Sequence, residues 1–337
     1  MIRALNVAVI GATGNVGREI IRTLAERKFR INKIDALASE GSIGKQVSFG
    51  DDAVLTIKNL ADYDFSDCDI AFFTAGGKIS KEYCRKVAEL GVIVIDSSSY
   101  FRMDKDVPLI IPEVNPEDLE WHKNIIASPN CSGTQMIMAR APLHELAGVK
   151  RVVASTYQSV SGAGKTAMDE LFAQTKSTYT YSSLDPQVFF KQISFNVIPQ
   201  IDEIMEDGTT KEEFKIIQET KKILDPDIQV AVTCVRVPVF IGHSVAMNIE
   251  FEEAISVEQA KKALAKFPGI IVKDERIDGG YITPKECVGF DEVFISRIRE
   301  DKSVKHGLNL WVVSDNLRKG AATNAVQIAE LIAKKIK

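Results

Sequence analysis

Apolar residues recur along this chain with two different periods, and where one gives way to the other an element ends. Residues 5–10 form a short continuous apolar run, glycines follow at 11, 14 and 17, and Ile20, Ile21 and Leu24 then recur at helical spacing. The predicted order is strand, glycine loop, helix. Further apolar runs at 33–38, 69–74 and 92–96 read as buried strands, with a helical pattern at 80–90 stopped by Gly91. Strands alternating with helices build a parallel, doubly wound sheet whose ligands sit at the carboxyl ends of the strands. Residues 74–77 and 97–102 fall at those ends, so Arg102 is a candidate anion clamp.

The pattern changes near residue 130, where the first domain boundary is placed. Residues 132–146 read as an amphipathic helix, and 150–161 alternate as a strand with one wet face. Residues 162–166 open another helix. Residues 212–224 read as an amphipathic helix whose charges are expected in solvent, 229–239 and 306–314 as strands, and 321–336 as a last helix. The fold class expected is α/β, a Rossmann-like N-terminal cofactor domain followed by a mixed α/β domain, with no internal repeat.

Composition narrows the function classes. A chain of 337 residues, 45% hydrophobic and 26% charged, is an ordinary globular chain of about two domains. Its formal net charge of −4 and lack of a basic cluster argue against nucleic acid. No apolar run approaches the roughly 18 residues of a membrane span, and the first residues lead into a strand rather than a cleavable signal. The five cysteines, at 68, 84, 131, 234 and 287, are odd in number and include no C-x-x-C pair. Neither disulfides nor a metal site are expected, and the compartment implied is the reducing cytoplasm.

One cysteine carries chemistry. In the stretch from Ile126 to Gln135, Cys131 stands between a strand-like apolar run and the helical stretch from 132, which places it at a helix N-terminus. Unpaired amides and the positive end of the dipole favour an anion there, so the thiol is poised to act as a thiolate nucleophile. Free cysteines are more often small buried hydrophobes. Here the turn residues Pro129 and Asn130 and the polar Ser132 and Thr134 favour the reactive reading. Of four histidines, His144 lies about 20 Å along the helix at 1.5 Å per residue, too far to serve the thiol. His243, between two strands and close in sequence to Arg236, is the acid/base candidate. Glycines at 11, 14 and 17 let backbone approach a pyrophosphate at the following helix N-terminus. In the polar loop 39–45, Ser39 and Ser42 suit a 2′-phosphate, whereas Glu40 opposes it. Residues 162–166 look like the end of a P-loop, but Ser159 stands where that motif requires glycine.

Taken in order, the glycine loop, Ser128-Pro129-Asn130-Cys131-Ser132, the stretch from Tyr157 to Gly162, the stretch from Cys234 to Val239 with Gly242-His243-Ser244, and the stretch from Asp315 to Ala321 resemble the aspartate-semialdehyde dehydrogenase family of the bacterial type. The resemblance covers nearly the whole chain. It implies a cofactor domain of residues 1–130 plus 317–337, a catalytic and dimerisation domain of residues 131–316, and a homodimer or dimer of dimers. It also implies NADPH-dependent reductive dephosphorylation of L-aspartyl-4-phosphate to L-aspartate 4-semialdehyde through a cysteine acyl-thioester, with release of inorganic phosphate, in lysine, diaminopimelate, threonine and methionine biosynthesis. Residue by residue, it implies Cys131 as nucleophile and His243 as acid/base. Gln158, Arg236 and Glu212 would bind substrate, and Arg102, Lys215 and Asn130 phosphate. Gly11, Thr13, Gly14, Asn15, Val16, Ser39, Gly41, Ser42, Ser161, Gly162 and Asn316 would meet the cofactor. The family often carries Ala-Ser-x-Arg-Ser at the adenosine phosphate, and Gly41 stands where that arginine would be, so NADP is expected with NAD as a substitute.

Three other readings compete. An N-acetylglutamyl-phosphate reductase shares glycine loop, cysteine and histidine, but the context of Gln158 and Arg236 opposes it. A glyceraldehyde-phosphate type dehydrogenase would need its histidine where only His144 is available. A non-catalytic NADP-binding homologue would have no use for both Cys131 and His243.

Overall fold

The apolar runs of the first hundred residues become neighbouring strands in the computed structural model, which describes residues 3–51, 53–180 and 184–336. The chain divides into two compact units, Met1–Asn130 with Ala321–Lys337, and Cys131–Gly320.

In the first unit the order is β1 (Leu5–Ile10), α1 (Asn15–Glu26), β2 (Ile31–Ala38), β3 (Gln46–Phe49), β4 (Ala53–Thr56), β5 (Lys58–Asn59), β6 (Ile70–Phe73), α2 (Gly77–Glu89), β7 (Ile93–Asp96) and β8 (Ile125–Ala127). Six strands form one parallel sheet in the order β5-β2-β1-β6-β7-β8, and β3 pairs with β4 as a separate antiparallel hairpin. The chain's last helix, α8 (Thr323–Ala333), packs on α1 and β7. Its Ala325, Val326, Ile328, Ala329 and Ile332 share one core with Ile20, Ile21 and Leu24 of α1 and with Val7, Val9, Phe72 and Ile95 of the sheet. Each large aliphatic side chain buried there contributes roughly 1.5–3 kcal/mol. The Arg27–Glu330 pair beside them, at 2.8 Å, is partly exposed and adds about 1 kcal/mol at most.

The second unit contains α3 (Cys131–Ala147), β9 (Val149–Gln158), α4 (Lys165–Tyr179), α5 (Lys211–Ile223), β10 (Gln229–Arg236), β11 (His243–Phe251), α6 (Val257–Lys266), β12 (Ile270–Val272), α7 (Pro284–Cys287), β13 (Val293–Glu300) and β14 (Gly307–Ser314). Its sheet runs β10-β9-β11-β14-β13-β12, parallel at β9–β10 and β12–β13 and antiparallel elsewhere.

Several expectations are corrected here. Helix α3 is not amphipathic: it is buried on nearly every side, against α5, α6 and four strands. A helix apolar all round belongs inside a domain. Its one internal charge, Arg140, is fully buried, donates to Met136 O and to Thr220 Oγ1 at 2.9 Å, and is pushed down to about 9 by burial. The strand expected at 150–161 ends at Gln158 and passes into a 3₁₀ turn, Val160–Ala163. The strand expected at 229–239 ends at Arg236, two residues before Pro238, which lacks a ladder donor. On α5, Glu212, Glu213 and Glu219 are buried rather than solvated. Residues 317–320 belong to the second unit, because their turn is bonded back to Asp315: the Leu317 amide donates to its carboxylate at 2.9 Å and the Arg318 amide to its carbonyl at 3.2 Å.

Candidate active site

Cys131 is the first residue of α3 and is half-buried. The other cysteines are poor nucleophiles by comparison, since burial pushes the thiols of Cys68 and Cys287 up to about 12 and those of Cys84 and Cys234 higher still. What lies against Cys131 is the backbone of Gly320. A Cβ built on that glycine would stand 2.7 Å from the Cys131 Cβ and 3.1 Å from its Cα. The glycine belongs to a π-turn, Arg318–Ala322. Such turns concentrate at functional sites because they re-aim backbone without breaking a helix. Gly320→Ala is therefore expected to displace Cys131 and lower kcat at least about tenfold, with cofactor affinity unchanged, since an offset near 1 Å in a reacting group costs up to two powers of ten. Unaltered kcat with an unchanged melting temperature would remove Gly320 from the site.

His243 opens β11 and is fully buried. Its Nδ1 accepts the Ser159 amide at 3.0 Å, and its Nε2 has no hydrogen-bond partner among the described residues. Burial and then the charge of Arg236 hold its pKa well below the usual histidine range. A Cβ on Gly162 would come within 3.3 Å of both His243 Nε2 and Arg236 Nη1, so this glycine leaves the space in front of them open. Arg236, at the end of β10, is 6% exposed, and its Nη1 donates to Ser159 O at 2.8 Å. Desolvation lowers its pKa, while Glu212, Cys131 and Cys234 favour its charge, which places the guanidinium within electrostatic reach of the thiol.

A chain of hydrogen bonds leads away from this point. Gln158 accepts from Thr156 Oγ1 at 3.0 Å and donates to Glu212 Oε1 at 3.1 Å. The other Glu212 oxygen takes the Lys215 ammonium at 3.3 Å, which also binds Asp202 at 2.7 Å. Glu212 is positioned by the start of α5, where Thr210 and Glu213 form a capping box and the Glu213 carboxylate also accepts the Cys234 amide at 2.9 Å. That box is legible as Thr-x-x-Glu before an apolar run; the residues it would orient are not.

Ser161 and Asn316 lie beside His243. Asn316 Oδ1 accepts from the Gly242 amide at 2.9 Å and from Ser159 Oγ at 3.0 Å, and Asn316 Nδ2 donates to Ser161 Oγ at 3.0 Å. His144 is structural: Nδ1 accepts the Val149 amide at 3.0 Å, and Nε2 is 3.3 Å from Asp225.

In the first unit Arg102 is 8% exposed and donates to Ser128 O at 3.0 Å and to Ser97 O at 2.9 Å, bridging the ends of β7 and β8. Asn130, the last residue of that stretch, is buried.

The comparisons with known proteins bear directly on this arrangement. A family profile described as the semialdehyde dehydrogenase NAD binding domain matches residues 6–122, and one described as the semialdehyde dehydrogenase dimerisation domain matches residues 141–319. The chain is 50% identical over 336 residues to the aspartate-semialdehyde dehydrogenase of Rickettsia bellii (strain RML369-C), covering 99% of both chains. The chain belongs to the aspartate-semialdehyde dehydrogenase family. It is 50% identical over 333 residues to that of Aquifex aeolicus, covering 97% of this chain and 98% of that one. Among solved structures, aspartate semialdehyde dehydrogenase II of Vibrio cholerae in complex with ASA matches with a TM-score of 0.96 and 45% identity, over 99% of this chain and 100% of that one. The family's activity is this chain's activity, an oxidoreductase with a nicotinamide cofactor, and the N-acetylglutamyl-phosphate reductase and glyceraldehyde-phosphate readings fall away. Among the described residues no helix is long and apolar enough to cross a membrane.

The first unit of this family member has a groove that fits such a cofactor. It encloses about 630 Å³ and is lined by Gly11, Thr13, Gly14, Ser39, Glu40, Thr74 and Tyr83, among others. Gly11 has φ +83°, and a Cβ there would meet Thr74 Oγ1 at 2.7 Å; a Cβ on Gly17 would collide with Gly11 O at 2.3 Å. Gly11 and Gly14 line the groove directly before α1, which starts at Asn15, so the positive end of that helix follows the groove in the chain. Gly41 and Ser42 lie in a 3₁₀ turn, Glu40–Ser42, directly after β2. Thr74, Ile79 and Tyr83 had no sequence signal beyond following a strand end.

Proposed function

We propose that this enzyme converts L-aspartyl-4-phosphate to L-aspartate 4-semialdehyde through an acyl-thioester on Cys131, with NADPH as reductant. The observation that carries the reading is that Arg236, whose charge is favoured by Cys131 at the start of α3, shares with His243 Nε2 the space that Gly162 leaves. The thiolate attacks the acyl carbon, and amides of the first turn of α3 stabilise the oxyanion. Arg102, Asn130 and Lys215 are assigned to the departing phosphate. Arg236 clamps the substrate carboxylate as a planar bidentate partner, while Glu212 meets the amine and Gln158 orients the intermediate. His243 serves the oxygen and sulfur of the tetrahedral species. The nicotinamide cofactor supplies hydride when bound, and Ser161, Gly162 and Asn316 are assigned to its nicotinamide end. The test is phosphate-dependent oxidation of aspartate semialdehyde, with the acyl-enzyme trapped by acid quench. Turnover independent of phosphate, with no mass added at Cys131, would refute the mechanism.

Choice between NADP and NAD turns on the turn at 40–42. The Lys45 ammonium donates to Gly41 O at 3.0 Å, which brings one cation to the loop. No heavy atom lies within 4 Å of a Cβ built on Gly41, so an arginine fits there. We expect wild type to prefer NADP weakly and to use NAD measurably. Gly41→Arg should raise the ratio of kcat/KM for NADP over NAD by roughly ten- to a hundredfold, the worth of a charge-assisted hydrogen bond of about 1.5–3 kcal/mol. A ratio unmoved by the arginine would place the 2′-phosphate elsewhere.

A homodimer is assigned to the face of the second sheet opposite α3. Tyr157 there is 37% exposed and its ring lies 5.6 Å from that of Trp311, with half-buried Val153 and Ser155 alongside on β9. Light scattering should show a dimer for wild type and a monomer for Tyr157→Glu; an intact dimer in the variant would move the interface.

A further inference from the structure

We propose that Asp96, the buried last residue of β7, is a positioning residue that holds Arg102 in place for the phosphate, working through Ser98 and the loop between them. The inference rests on the reading of Arg102 as a phosphate clamp.

A carboxylate sealed from water at the carboxyl end of a parallel strand is costly unless donors surround it. Asp96 is 0% exposed, and both of its oxygens are engaged. Oδ1 takes the Ser80 hydroxyl from α2 at 2.7 Å and the Ser98 amide at 3.0 Å, while Oδ2 takes the Ser98 hydroxyl at 2.7 Å. Ser98 Oγ in turn accepts the Tyr100 amide at 3.1 Å. Two turns closed by side chains therefore follow each other, Asp96 to Ser98 and Ser98 to Tyr100, and fix the path of the chain as it leaves β7. The next side chain, Phe101, is buried, with the Arg85 guanidinium 5.4 Å from its ring centroid. The one after it is Arg102.

Arg102 reaches back to where the loop began. Its Nη2 donates to the carbonyl of Ser97, the neighbour of Asp96, and its Nε to the carbonyl of Ser128, whose amide donates to Asp96 O at 2.8 Å. Both carbonyls are thus carried by residues attached to Asp96, one through a peptide bond and one through a hydrogen bond. Burial raises the Asp96 pKa, and the hydroxyls of Ser80 and Ser98 and the charge of Arg102 oppose that rise. The guanidinium is therefore held in one orientation before any anion arrives. A clamp fixed in advance loses little freedom on binding, whereas a long side chain that the ligand itself must order weakens binding by roughly three- to tenfold.

Ser80 supplies a control. Its hydroxyl meets the same carboxylate at the same 2.7 Å as that of Ser98, but from α2, outside the loop that ends at Arg102.

The experiment measures KM for inorganic phosphate in the oxidation of aspartate semialdehyde, with kcat, KM for the semialdehyde and melting temperature alongside. The variants are Asp96→Asn, Ser98→Ala, Ser80→Ala, Arg102→Ala, and Asp96→Asn combined with Arg102→Ala. Asp96→Asn and Ser98→Ala are expected to raise KM for phosphate about three- to tenfold, with KM for the semialdehyde within about twofold of wild type. Ser80→Ala should lower the melting temperature as much as Ser98→Ala does and leave KM for phosphate within about twofold. In the Arg102→Ala background, adding Asp96→Asn should change KM for phosphate by less than about twofold, because a residue that acts through another has nothing left to act on. Equal rises in Ser80→Ala and Ser98→Ala, or effects of Asp96→Asn and Arg102→Ala that multiply, would mean general loosening and overturn the proposal. So would a phosphate KM unmoved in both Asp96→Asn and Ser98→Ala. If Asp96→Asn fails to fold, the comparison of the two serine variants decides alone. A normal phosphate KM in Arg102→Ala would instead sink the phosphate reading underneath, and this proposal with it.

Discussion

Replacing Cys131 with alanine is expected to abolish turnover while leaving the fold and cofactor binding intact. In the proposed mechanism the residue supplies the nucleophile, and the variant removes only one half-buried sulfur from the start of α3, so the loss of stability should stay below about 1 kcal/mol. Serine should leave at most a trace, because its hydroxyl has no usable anion at neutral pH even at a helix terminus. None of the other four cysteines is a substitute, since burial holds each thiol well above the range of a working nucleophile. The check is kcat with aspartate semialdehyde and phosphate, beside a melting curve and a cofactor titration. Alanine retaining about a tenth of wild-type kcat would rule out covalent catalysis at this position.

The second large effect belongs to Arg236. Its side chain is almost wholly buried, donates to Ser159 O and has its charge favoured by Glu212 and the thiol, so Arg236→Ala should lower kcat/KM for the semialdehyde by roughly two to three powers of ten. Truncating one member of a buried charge constellation costs about 3–5 kcal/mol, much of it from the charge left behind, here Glu212. Lysine should not rescue, because one ammonium cannot replace a planar fork that holds a backbone carbonyl and a carboxylate together. Arg102→Ala and Lys215→Ala should chiefly raise KM for phosphate. If Arg236→Ala left semialdehyde kinetics untouched while phosphate affinity collapsed, the two anion clamps would be assigned the wrong way round.

The first unit was the easier to read because its main parallel strands are covered on both faces and appear as apolar runs, each followed by glycine, serine or threonine at the ligand-facing end. In the second unit the same reasoning overshot β9 and β10 and missed α6, β12 and β13. Strand β13 has polar residues at its end and a register shift between Ser296 and Arg299, with Arg297 at φ +53° inside it, so no clean alternation survives. Buried carboxylates on α5 defeated the expectation of a solvated face because their partners, Gln158 and the Cys234 amide, come from strands distant in sequence. For the proposed site, Cys131 and His243 could be nominated from residue type and local context. Gly320 was not, since its value lies in the absence of a side chain at a contact that only the tertiary structure creates.

The first unit is also discontinuous, and this sets an order of assembly. Helix α8 supplies part of the core on which α1 and the parallel sheet close, yet it leaves the ribosome only after Cys131–Gly320. Domains generally fold as their sequence emerges, N-terminal part first. Here the first 130 residues emerge with an apolar face still waiting for its cover, while Cys131–Gly320 follows as one uninterrupted segment. The first unit, begun before Cys131–Gly320 is translated, is therefore completed only after it, and a nascent chain arrested before residue 321 holds all of the second unit and an unfinished first one.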